Sequence, residues 1–190
     1  MMKNLKTLKI TYAALFLCLA LVLPFLTGQI KIFGKMLNLM HVAVFLCGLV
    51  CDWKHGLAVG FIAPLLRSLL FGMPVLYPNA AAMAFELGMY GFMAGFLYER
   101  LYEKRWGVYV SLVGAMLAGR VVWGVASVIL WSFMGELFTM LMFIKGAFID
   151  SVVGIVVQLV IIPITVEVLK RANLLLINKK PQKVTTRDGE

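Results

Sequence analysis

Acidic charge is scarce in this 190-residue chain: nine Asp and Glu stand against 18 Lys and Arg, and only 14% of residues carry charge at all. Histidine occurs twice and cysteine three times, at Cys18, Cys47 and Cys51, each inside an apolar run. Cys47 and Cys51 are four apart with no histidine at metal-binding spacing, so neither a disulfide framework nor a zinc site is expected. The three read as buried free thiols, and no metal or cofactor is expected. A glycine-rich phosphate loop and a dinucleotide fingerprint are both missing, which excludes ATP hydrolysis by the chain itself.

What the chain has in abundance is apolar surface. Hydrophobic residues make up 62% of it and the mean hydropathy is +0.94. A soluble core of this size cannot hide so much, so the surplus must face lipid. Six apolar segments stand out, at residues 10–27, 36–51, 56–71, 80–98, 108–131 and 138–168. The second and third are short, and 16 residues at about 1.5 Å each reach roughly 24 Å. Only helices and closed barrels satisfy their own backbone groups in hydrocarbon. The expected fold is therefore an all-α integral membrane protein, a six-transmembrane-helix bundle over residues 1–172 with a basic tail at 173–190. The N-terminus, MMKNLKTLKITYAALFLCLALVLP, has the basic start and apolar centre of a signal peptide. No small-x-small cleavage site follows, so it reads as a retained first helix.

A formal net charge of +9 in a soluble protein would suggest nucleic acid. Here the basic residues sort by side of the membrane instead. With six crossings, thirteen of them fall with the two termini and the even-numbered loops, and only Lys31 and Lys35 fall on the other side. Cytoplasmic loops collect Lys and Arg, so both termini are expected in the cytoplasm of a multi-pass cell-membrane protein, with the lipid bilayer and no nucleic acid as partner.

Ionisable residues within spans are costly and usually face a bundle interior or a watery cavity on a substrate path. Read by depth, Asn38 and His41 lie near the outer end of the second segment, and Arg67 one turn below the outer end of the third. Asn79, Met83, Glu86 and Tyr90 form one stripe of the fourth. Arg120, followed by Trp123, lies near mid-depth in the fifth, while Lys145 and Asp150 lie in the outer part of the sixth. Every embedded charge maps to the outer half or the middle, which places an outward-facing pocket there, with the Gly72–Pro78 stretch as a loop over it. Structural readings stand beside this one. Arg67 and Arg120 can pair with Glu86 and Asp150 simply to pin helices, Lys145 can snorkel, and Trp123 can be an interfacial aromatic. Small residues four apart, Gly91 with Gly95 and Ala14 with Cys18, mark close helix approach within one bundle or against another subunit. The Asp52–His55 turn reads as a cytoplasmic connector.

Four stretches in order, MHVAV (40–44), PLLRSLLFGMP (64–74), AMAFELGMYG (82–91) and AGRVVWG (118–124), resemble the substrate-binding S component of energy-coupling factor (ECF) vitamin transporters, over about residues 10–170. The resemblance implies a protein that is not an enzyme. It captures a vitamin or precursor outside and works with a membrane coupling subunit and two cytoplasmic ATPases. It also implies a coupling contact on the first helix, matched here by Ala14 and Cys18, the family's second alanine being replaced by cysteine. The substrate-binding set read from the embedded polar residues is Asn38, His41, Arg67, Asn79, Glu86, Tyr90, Arg120, Trp123, Lys145 and Asp150. Three cations against two carboxylates suit a small polar anion, with pantothenate preferred over folates, pyridoxine-type compounds and queuosine precursors. The alternative is a stand-alone proton-coupled carrier or a membrane enzyme using Glu86 and Asp150.

Overall fold

A computed structural model of the chain describes residues 5–27, 39–104, 106–149 and 151–177, and every regular element among them is helical. In chain order these are α1 (Leu5–Val22), α2 (Leu39–Val50), α3 (Trp53–Phe71), α4 (Ala81–Leu101), α5 (Gly107–Ser132), the short α6 (Met140–Ile144) and α7 (Val152–Arg171). A 3-10 turn, Leu23–Thr27, ends α1, and wide π-type turns lead into α4 (Leu76–Ala80) and out of α6 (Lys145–Ile149). Five of the helices are long and apolar enough to cross a membrane, while α2 is apolar but shorter.

The short α2 is the axis of the bundle. It is apolar around its whole circumference, and a helix of that kind belongs inside. Every residue from Met40 to Val50 is buried, enclosed by α1, α3, α4 and α7. The longer helices turn one side to this core and the other outward, where Ile10, Leu69, Val121, Val160 and Ile164 stand exposed as lipid-facing groups.

Glycines set the closest approach. A Cβ on Gly91 would collide with the Gly56 carbonyl, and one on Gly95 would lie 2.6 Å from the Trp53 nitrogen. On α3, a Cβ at Gly60 would strike the Leu87 carbonyl. The Gly91–Gly95 face of α4 is thus used up inside this bundle, against α2 and α3, where small residues let backbones touch.

Two features depart from the sequence reading. The sixth apolar segment, 138–168, is not one helix. At about 1.5 Å per residue it would run to roughly 47 Å, well beyond a hydrocarbon core of about 30 Å. The chain instead starts α6 with Thr139 capping the Met142 amide, opens through Lys145–Ile149, and restarts after Ser151, whose hydroxyl donates to the Gly146 carbonyl at 3.2 Å. Packing also runs past residue 172. After Asn173, at φ 55°, the chain folds back, Leu175, Leu176 and Ile177 are buried, and the Leu176 amide donates to the Val50 carbonyl at 2.8 Å. That bond satisfies one of the carbonyls left open at the end of α2.

Candidate functional site

Where α4 faces α5, two charges meet inside the bundle. The Arg120 guanidinium donates through Nη1 to Glu86 Oε1 at 2.8 Å, and the Tyr90 hydroxyl donates to the same oxygen at 2.6 Å. Both helices are long and apolar, so the pair lies at a depth where an isolated charge is costly, and Glu86 is only 3% exposed. Tyr90 sits one turn after Glu86, which lets its hydroxyl reach back along the helix face.

Tyr90 is held in place by α2 and α5. Its ring stacks on Phe45 at 4.8 Å and 27°, and leans on buried His41 at 5.5 Å. The far side fits against Gly119, where any Cβ would meet the ring. His41, Glu86, Tyr90 and Arg120 are thereby brought together.

One turn further along α5 is an aromatic cluster. Trp123 stacks on Phe143 at 5.9 Å and 25°, and meets Phe138 edge-on at 5.7 Å. Glycines open the space for it: a Cβ on Gly124 would lie 2.6 Å from the Phe143 ring, and one on Gly146 2.8 Å from the Trp123 ring. Beside this cluster, between α5 and α6, is an open apolar groove of about 440 Å³ lined by Gly124, Phe138 and Phe143 and by Val121 and Val125 of the outward, lipid-facing side of α5.

The remaining candidates lie elsewhere. Arg67 is buried on α3 but does not pair with Glu86 among the described residues. It donates through Nη1 to the Leu21 carbonyl at 2.7 Å and lies over the rings of Phe25 and Phe71, at 5.1 and 5.7 Å. It thereby serves the C-terminal end of α1, where open carbonyls favour a cation. Asn79 and Lys145 are exposed. Asn38 and Asp150 lie outside the described residues. The Gly72–Pro78 loop crosses to α5 through the Tyr77 hydroxyl, which donates to the Leu130 carbonyl at 2.7 Å. On α1, Ala14 and Cys18 are both exposed. The expectation of three buried thiols is corrected at Cys18, which faces outward with Ala14, while Cys47 and Cys51 are buried and free.

The structure adds residues that sequence reasoning passed over. Phe45, Phe138 and Phe143 build the aromatic surfaces, and one aromatic among many gives no signal of its own. Gln158, buried on α7, did carry one: it is a lone amide in the apolar run VVGIVVQLVIIP. No group of residues able to hold a metal ion occurs among the described residues.

At the other end of the bundle the Asp52 turn is a saturated acid. Asp52 Oδ1 accepts from the His55 amide at 3.0 Å and lies 2.7 Å from the His55 ring nitrogen, while Oδ2 accepts from Lys9 at 2.9 Å. Burial alone would raise its pKa. The His55 backbone, the His55 ring and Lys9 outweigh that and hold the carboxyl at about 2. The turn caps α3 and ties it to α1.

The chain matches the family model of the ECF transporter substrate-specific component over residues 8–170. No curated protein and no solved structure matches it. The chain belongs to the ECF transporter substrate-specific component family, which binds transported substrates and is not an enzyme family.

Proposed function

We propose that this ECF substrate-specific component captures a vitamin or vitamin precursor on the outer side of the membrane and delivers it through an ECF module of one membrane coupling subunit and two cytoplasmic ATPases. The observation that carries the reading is the Glu86–Arg120–Tyr90 cluster, a charged group at span depth beside an aromatic cluster. Ionisable residues embedded in a span usually line a substrate path.

The six-crossing topology belongs to the same proposal, with both termini cytoplasmic. It counts the buried α2 as a short crossing enclosed by protein. The basic residues support it, since they flank one side. Substrate contacts fall to His41, Glu86, Tyr90, Arg120 and Trp123. Asn79 and Lys145, both exposed, are assigned to the mouth of the site, and Asn38 and Asp150 are proposed from the sequence alone. Arg67, which holds the end of α1 through the Leu21 carbonyl, is left out of the contact set. The coupling subunit is met by the exposed Ala14 and Cys18 face.

Replacing Ala14 with Leu is expected to abolish uptake by cells carrying the full module while leaving substrate binding by the isolated chain intact. Copurification of the tagged chain should bring down three further proteins. A chain that purifies alone and transports alone is a carrier instead.

A further inference from the structure

We infer that the substrate is a neutral, planar molecule whose edge places a hydrogen-bond donor beside an acceptor, such as a cyclic amide or an amino-substituted ring nitrogen, and not a free carboxylate anion. This rests on the proposal that the Glu86–Arg120 cluster is the substrate site.

The hydrogen bonds of the pair are lopsided. Tyr90 and Arg120 both donate to Glu86 Oε1. Among the described residues Oε2 accepts nothing further, and the guanidinium, with five N–H donors, gives only its Nη1 to the protein. Oε2 and the remaining guanidinium nitrogens are not fully sealed off, so a small molecule can reach them. An open carboxylate acceptor next to open guanidinium donors matches one kind of partner, a group that donates to Oε2 and accepts from Arg120 along a single edge.

Charge at the pair disfavours the other class. Arg120 is already neutralised by Glu86 at 2.8 Å. The pair therefore carries no net charge, and a carboxylate brought to it would meet Glu86 as a like charge in a water-poor setting. The walls favour a ring. Trp123 stands three residues after Arg120 on α5, about 4.5 Å further along the axis, and with Phe143 and Phe138 forms an aromatic cluster next to the pair.

The test exposes the immobilised full chain in detergent to the small-molecule filtrate of yeast extract. After washing, retained compounds are released by denaturation and identified by mass spectrometry. A neutral heterocycle with an amide or amino–ring-nitrogen edge is expected. Its affinity per folded molecule should fall roughly ten- to a hundredfold in Glu86→Gln, since the open acceptor becomes part donor. Trp123→Leu lies outside the pair, so it reports even where Glu86→Gln fails to fold, and should weaken the same compound about tenfold through lost stacking. Retention of an aliphatic carboxylate such as pantothenate overturns this inference and leaves the transport proposal standing. A planar compound bound equally well by both variants also overturns it, because the compound then lies elsewhere. Retention of nothing overturns the inference and the substrate-site proposal together.

Discussion

Two carboxylates of this protein, Glu86 and Asp52, each sit with a cation and a third hydrogen-bonding partner, yet they are opposites in detail. Asp52 uses both oxygens, on Lys9 and on the backbone and ring of His55, and stands at a turn where its side chain is 17% exposed. Glu86 uses one oxygen and is all but sealed between α4 and α5. A saturated acid at a helix start is explained by the fold it holds. Glu86 leaves one oxygen without a protein partner among the described residues, and that difference is why the proposed substrate contact is put on Glu86 and not on Asp52.

The comparison breaks most visibly at Arg120. Arg120→Leu leaves Glu86 buried without its counter-charge, and removal of one partner of a buried pair costs about 3–5 kcal/mol. Thermal unfolding in detergent should show this, and Glu86→Leu with Arg120→Leu together should recover much of it. A double variant as unstable as the single one would mean the two charges do not act as a pair. Next in size is Tyr90→Phe, which keeps the stacking on Phe45 and deletes only the bond to Glu86, with an expected loss of about 1.5–3 kcal/mol.

Asp52→Ala should cost less, about 0.5–2 kcal/mol as for other helix caps, and should leave substrate binding unchanged. It carries a pH signature as well. The folded pKa of about 2 lies below the usual 3.8, so the unfolded chain binds the proton more tightly. The stabilisation is complete above about pH 4 and is lost as pH falls towards 2. Melting temperatures across that range should fall faster for the parent chain than for Asp52→Ala; parallel curves would remove Asp52 from the account. The smallest effect belongs to a third acid. Glu167 pairs with Arg171 four residues on, with both side chains largely exposed, and Glu167→Gln should change stability by no more than about 0.5 kcal/mol.

Much of this was legible in the chain itself. Glu86 and Tyr90 share a stripe because they are one helical turn apart, and a local period decides that. The break in the sixth segment was less legible, since apolar composition continues through Gly146 and Ser151 while the backbone does not. The partner of Arg67 was hidden altogether. Sequence offered Glu86 and Asp150 as counter-charges, whereas the guanidinium found a backbone carbonyl at the end of α1, and carbonyls are everywhere in a sequence and so mark nothing.

Composition and period by themselves determined that this is a helical membrane protein, because apolar excess and backbone hydrogen bonding in lipid leave few alternatives, and both are properties of the chain read locally. They also determined which polar residues are costly enough to need a purpose. Only the tertiary structure decided which of those meet. Arg120 rather than Arg67 faces Glu86, and the Gly91–Gly95 face is spent within the bundle. Such pairings depend on how helices rotate and cross against one another, which is set by the summed fit of glycines and rings across several elements and is written in no single stretch of sequence.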